Sequence, residues 1–292
     1  MSLQSWHITY RGSLSSCNYD CGYCPFAKTS NTRSELQEDY KSLDQFVNWV
    51  HQRQEQIRIL FTPWGESLVR KPYQQAIIRL SHAPNINRVA IQTNLSCNLE
   101  WVKKANNAKI ALWVTYHPSQ TTLEKFINKC TYLFQNNVRF SVGSVGLKQD
   151  LGLIEQLRIL LPQSVYLWVN AYKDKPSYYN NSDINRILKI DPFFDLNHKN
   201  HASLGEACFA GETSFMVNHN GDIQRCHFIK NKLANIYDGN FTQSLKPRSC
   251  NLDICDCHIG YINLKKLNLN KVFKNGMVER IPNLKIYNIS GE

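Results

Sequence analysis

The sequence predicts an α/β fold: a partial (β/α)6 barrel of parallel strands, followed by a small C-terminal cysteine-rich domain with a β-hairpin. Three observations carry this. Strand-like and helix-like patterns alternate over the first two-thirds of the 292 residues. The composition shifts near residue 175 toward Asn, Asp, Lys and Tyr, as in a connector. From Cys208 onward, spaced cysteines flank an Asn220-Gly221 pair between two short extended runs, a hairpin signal.

The strands are expected over 6–10, 57–62, 88–92, 110–116, 138–143 and 165–171. The intervening helices are expected over 43–54, 72–81, 99–105, 121–135 and 151–161. Phe46, Val47 and Val50 give the first helix one apolar face. Thr121-x-x-Glu124 reads as a capping box for the fourth. Six β/α units in series predict a parallel sheet with outer helices, too few to close an eight-stranded barrel. The domains expected are 1–200, the barrel; 201–262, the cysteine-rich unit; and 263–292, a basic extension.

Composition narrows the class. With 42% hydrophobic residues the chain can bury a substantial core. No apolar run approaches the roughly 20 residues that span a bilayer. The first residues show no signal-peptide pattern, so a cytoplasmic protein without a membrane partner is expected. Ten cysteines in a reducing compartment point to metal or redox chemistry rather than disulfides. The formal charge of +11, with Lys265, Lys266, Lys271, Lys274, Arg280 and Lys285 in the tail, fits a solvated basic surface or an anionic partner.

The chemistry-bearing segment is Cys17-Asn-Tyr-Asp-Cys21-Gly-Tyr-Cys24, just after the first strand. Three thiolates this close can grip one iron–sulfur cube and leave its fourth iron open. A zinc site wants four ligands, which three cysteines meet only by recruiting a residue such as His7. Three further motifs also follow strands: Trp64-Gly65-Glu66-Ser67, Thr93-Asn94-Leu95, and Gly143-Ser144-Val145-Gly146. In parallel β/α folds, sites form beyond the C-terminal strand ends.

Cys-x3-Cys-x2-Cys with Tyr23 before the third cysteine resembles the signature of the radical S-adenosylmethionine (SAM) superfamily, and the later motifs fall in that family's order. Trp64-Gly65-Glu66-Ser67 departs from the family's Gly-Gly-Glu-Pro at two of four positions, and Leu95 stands where many members have glycine. The resemblance implies that Cys17, Cys21 and Cys24 hold a SAM-binding [4Fe–4S] cluster. It implies that Tyr23, Gly65, Glu66, Thr93, Asn94 and Ser144 contact SAM.

Cys208-Phe-Ala-Gly211 and Gly221-x4-Cys226 resemble the start of a SPASM or twitch auxiliary-cluster domain. Cys250, Cys255 and Cys257 follow, too few for two four-cysteine clusters. One auxiliary [4Fe–4S] cluster is the economical reading; which of these three is spare, and whether His258 joins, stays open, and a zinc ribbon is the competing arrangement. Cys130 reads as a buried hydrophobe, and Cys97 as a residue on the site side of strand three.

The resemblance implies reductive cleavage of SAM to a 5′-deoxyadenosyl radical that takes hydrogen from a substrate, for an oxidative modification. A small biosynthetic metabolite is the first substrate class and a ribosomally made peptide the second. A reducing partner such as flavodoxin or ferredoxin is implied. An electron-transfer or RNA-binding protein is the alternative of another class. Charge alone supports RNA binding, with no aromatic–basic repeat for stacking bases.

Overall fold

The computed structural model describes residues 5–26 and 29–283. The first four residues and Lys285 of the expected basic tail lie outside the described residues.

Six parallel strands appear in the expected order: β1 (Ser5–Arg11), β2 (Gln56–Phe61), β3 (Ile86–Thr93), β4 (Ile110–Tyr116), β5 (Arg139–Val145) and β6 (Leu167–Asn170). They hydrogen-bond in sequence order. The outer layer is α1 (Arg33–His51), α2 (Lys71–His82), a 3-10 turn over Glu100–Lys104, α3 (Leu123–Gln135) and α4 (Leu151–Leu160). Two helices, α5 (Asn181–Ile190) and α6 (Phe194–His198), occupy the connector.

Helix α1 starts ten residues before the expected 43, because its first two turns are polar and mask the 3.6-residue period. A capping box at Thr32 and Glu35 sets that start. At α3 the expected box is displaced. Thr122, not Thr121, is the N-cap and accepts from Lys125 N, while the Thr121 amide is used by the preceding turn on His117 O. Strand β6 starts two residues later than expected, since a turn from Val165 N to Pro162 O holds its first residues.

After two-residue strands β7 (His201–Ala202) and β8 (Ala207–Cys208), β9 (Ser214–Asn218) and β10 (Asp222–Cys226) form the expected hairpin, with Gly221 at φ 79°. A left-handed φ favours glycine there. Strand β11 (Ile229–Asn235) completes a meander. The meander does not stand apart. β9 pairs in parallel with β1, His7 opposite Ser214, giving one sheet of nine strands in the order β11-β10-β9-β1-β2-β3-β4-β5-β6. Two small ladders complete the C-terminal region: β12 (Arg248–Ser249) on β8, and β13 (Ile254–Cys255) on β7. Short helices α7 (His258–Tyr261) and α8 (Leu269–Phe273) follow.

The main core lies between sheet and helices, with Trp6, Ile8, Tyr10, Phe46, Ile59 and Phe61 fully buried. A second apolar layer includes Leu60, Ala90, Trp113, Tyr166, Trp168 and Val278. Val278 brings the C-terminal segment against the sheet. Glu279 anchors that segment, fully buried and ion-paired with Arg88 (3.3 Å) and Arg139 (2.8 Å). Among the described residues, no helix is long and apolar enough to cross a membrane.

Candidate active site

The loop after β1 carries Cys17, Cys21 and Cys24, and buried polar side chains shape it. Asp39 of α1 accepts from Ser13 N (2.8 Å), Leu14 N (3.0 Å) and Tyr73 Oη (2.8 Å). Asn31 Oδ1 accepts from Ser15 N and Ser16 N, each at 2.9 Å. The Trp64–Glu66 turn lies against this loop, with Glu66 N donating to Ser16 O (3.2 Å). A Cβ at Gly65 would overlap that same carbonyl, so only glycine allows the approach.

Glu66 ties the ends of β2 and β3 together. It is buried and accepts from Leu68 N (2.9 Å), Thr93 Oγ1 (3.0 Å) and Asn94 N (2.6 Å). Burial pushes its carboxyl up to about 7, against these donors. Asn94 Nδ2 in turn reaches Asn18 Oδ1 (3.2 Å) and lies 3.8 Å from Cys17 Sγ. Leu95 has φ 58°, the left-handed conformation that costs a branched residue about 1 kcal/mol. Lys129 holds this strained turn by donating to the carbonyls of Leu95 (2.9 Å), Ser96 (2.7 Å) and Cys97 (2.8 Å).

These motifs converge. Cys17, Cys21, Cys24, Gly65, Glu66, Thr93 and Asn94 line one cavity of about 210 Å3, together with Thr115 and His117. Burial raises the pKa of Cys17. His117 was not singled out in the sequence, although it immediately follows strand four. Its Nδ1 lies 2.7 Å from Tyr23 Oη and 3.4 Å from Cys21 Sγ, and burial lowers its pKa to about 4. Ser144 stands apart from this group. It lies inside β5, fully buried, and donates to Tyr116 O (3.1 Å). Gly143 is likewise occupied by packing, since a Cβ there would overlap the Trp168 ring.

The cavity opens onto a chamber of about 290 Å3 beyond the strand ends, sharing Phe26, Pro63, Trp64, Gln92 and Thr115 with it. Arg11, Trp113, Trp168, His227, Cys257 and Arg280 line its other walls.

The remaining cysteines divide. Cys208, Cys250 and Cys255 are buried, and Cys226 packs with Cys208 and Cys255 in a small apolar core around Tyr261, Leu264 and Phe273. Burial raises the thiol pKa values of Cys208, Cys226 and Cys255, and the neighbouring thiols raise them further. Arg225 staples this region. It donates to Ala210 O (2.9 Å), Arg248 O (2.9 Å) and Ser249 O. Cys257 neighbours Cys255 and also lines the chamber: burial raises its pKa, and Asp256 and Arg280 are its charged neighbours. Cys97 is buried and pushed up to about 12 by burial, and Cys130 is buried in α3. None of the ten cysteines is in a disulfide. Among the described residues, no three His, Cys, Asp or Glu stand close enough to hold a single metal ion.

A cysteine loop at the mouth of a parallel barrel, with the ends of β2 to β4 tied around one cavity, is the site of an α/β enzyme. Residues 14–141 match the model of the Radical SAM superfamily, so the chain carries a radical SAM domain, a domain type built around a [4Fe–4S] cluster and SAM. It is thereby an enzyme of the radical SAM type. Solved structures are similar in fold. Native anSMEcpe with bound AdoMet and a Kp18Cys peptide aligns with a TM-score of 0.54 at 14% identity, covering 82% of each chain. The same protein with a Cp18Cys peptide aligns at 0.51 and 15%, again over 82% of each. BtrN in complex with AdoMet and 2-DOIA aligns at 0.38 and 18%, over 82% of this chain and 86% of that one. No curated protein matches the sequence.

Proposed function

We propose that this enzyme binds SAM at a [4Fe–4S] cluster held by Cys17, Cys21 and Cys24, and oxidatively modifies a substrate held in the adjoining chamber. The observation that carries the reading is the convergence of those three thiols with Gly65, Glu66, Thr93 and Asn94 on one cavity. The donor set fits the group. Three thiolates are the ligands of a cube with one open iron. When bound and reduced, the cluster supplies the electron that splits SAM and yields the radical that removes hydrogen from substrate.

The chain's own residues do the rest. Gly65 brings the β2 turn to the cavity edge, where its bare Cα lets it pack on the Ser16 carbonyl of the cysteine loop. Glu66 fixes the Thr93-Asn94 backbone, and Asn94 steadies the loop through Asn18. Tyr23 and His117 form a polar wall beside Cys21. Ser144 is better read as a packing residue than as a SAM contact, since its hydroxyl is used inside the sheet.

One auxiliary [4Fe–4S] cluster on Cys208, Cys226, Cys250 and Cys255 fits the second group, as Cys208, Cys226 and Cys255 share one apolar core and Cys250 is an electrostatic neighbour of Cys255. Fully ligated, it would accept the second electron of an oxidation. Cys257 is then the spare cysteine, on the substrate side. The modest chamber favours a small molecule, with a peptide as the second reading. Flavodoxin or ferredoxin fits as the reductant.

The test is anaerobic reconstitution followed by dithionite and SAM. About eight irons per chain and slow 5′-deoxyadenosine release are expected. Replacing Cys17, Cys21 and Cys24 together by alanine should remove about half the iron and all SAM cleavage. Cleavage that survives this change overturns the reading.

A further inference from the structure

The chamber beside the cysteine cavity carries two guanidinium groups and, among the described residues, no carboxylate lines it. Arg280 is only 3% exposed. Its guanidinium sits 4.3 Å over the Trp168 ring and 5.7 Å from that of Trp113, and among the described residues it forms no ion pair. The nearby acid is Asp191, already used by Tyr166 Oη (2.6 Å), Val169 N (2.9 Å) and Phe193 N (3.0 Å). Arg280 also has φ 53°, strained for a non-glycine residue. Its neighbour Glu279, clamped by Arg88 and Arg139, holds it in that turn.

Arg11 approaches from the end of β1. Its Nε donates to Thr62 O (3.0 Å) and its guanidinium lies 4.0 Å over Trp64, again with no ion pair among the described residues. His258 Nε2, on a residue only 4% exposed in the same chamber wall, has no hydrogen-bond partner among the described residues. Burying a cation without a counter-charge is costly. Arg280 shares its nearest counter-charge, Asp191, with three other donors, and the half-buried Arg11 faces the same cavity, so a bound anion would find two guanidinium groups with donors to spare. A guanidinium fork matches a carboxylate in shape as well as charge, and the three tryptophans offer flat apolar walls for the body that bears it.

We infer that the substrate carries a carboxylate, received between Arg280 and Arg11, on a flat apolar or aromatic body. The inference rests on the chamber being the substrate site of the proposed reaction, and it names the substrate class. A small organic acid and an acidic peptide share this chemistry, and the experiment separates them.

The measurement is calorimetric unfolding of the reconstituted holoenzyme with added phenylacetate, phenylacetamide, inorganic phosphate, or an acetylated tetrapeptide ending in glutamate, at matched ionic strength. Phenylacetate should raise Tm by about 2 °C at ten times its Kd, while the neutral amide raises it by nothing. A larger rise with the tetrapeptide assigns the carboxylate to a peptide. Arg280→Met should abolish the carboxylate shift, whereas replacing a merely structural arginine would lower Tm and leave the shift in place. If Arg280→Met does not fold, Arg280→Lys and Arg11→Gln should each weaken the shift at least tenfold in ligand concentration. A rise with phosphate alone, equal shifts from acid and amide, or no shift from any carboxylate overturns the inference. None of these readouts needs turnover, so this inference and the SAM-cleavage reading fail separately.

Discussion

The two cysteine groups are held in opposite ways. Cys17, Cys21 and Cys24 ride on an irregular loop whose shape comes from Asp39, Asn31 and Gly65, outside the thiols themselves, and they face a cavity. Cys208, Cys226 and Cys255 are set in an apolar core, with Arg225 stapling the backbone around them. A site that must admit and release a ligand is built from neighbours' backbone and caps. A site that only has to stay closed is built like a core.

The comparison predicts which property breaks first on each side. The largest effect is expected at Arg225. Arg225→Met strands three carbonyls in a buried setting and should cost about 3–5 kcal/mol in urea unfolding, with loss of about half the iron. Unchanged stability would mean the second group is not held as a core. On the open side, Gly65→Ala should cost only about 1–3 kcal/mol while abolishing SAM binding in an equilibrium titration. Binding retained at wild-type strength would break the contrast.

The smallest effect sits on the seam, where His7 of β1 pairs with Ser214 of β9. Burial lowers its pKa to about 4 from 6.5, so the unfolded chain binds its proton first as pH falls. Stability from this group is present above pH 6.5 and is lost as pH falls toward 4, by about 1 kcal/mol between 6.5 and 5.5. Urea midpoints at those two pH values should converge less steeply in His7→Asn than in the parent. Equal slopes would remove His7 from the seam.

Much of this was legible from the sequence. Strand and helix periods predict six β/α units, and the strand-end rule places Cys17, Gly65 and Thr93 on one side of the sheet. His117 was equally readable by that rule, one residue past strand four. Ser144 lies inside β5 because the strand runs two residues beyond its expected end, and its hydroxyl donates to Tyr116 O of neighbouring β4. The substitution of leucine for glycine at position 95 looked like a departure, yet the backbone there keeps the left-handed turn, held by Lys129 from α3. Nothing local could reveal the pairing of residue 7 with residue 214, or the return of Arg280 to the chamber. Such contacts are decided by packing between segments over 100 residues apart, which leaves no period in the sequence.

The parallel seam between β1 and β9 also sets an order in time. The first strand leaves the ribosome early and gains its β2 neighbour after some fifty more residues. Its other edge waits until residues 214–218 have been made. For most of synthesis the nascent chain therefore shows one unpaired strand edge, next to the loop that bears the three cysteines. An open edge invites pairing with other chains, so the last third of the protein also closes the first strand to strangers.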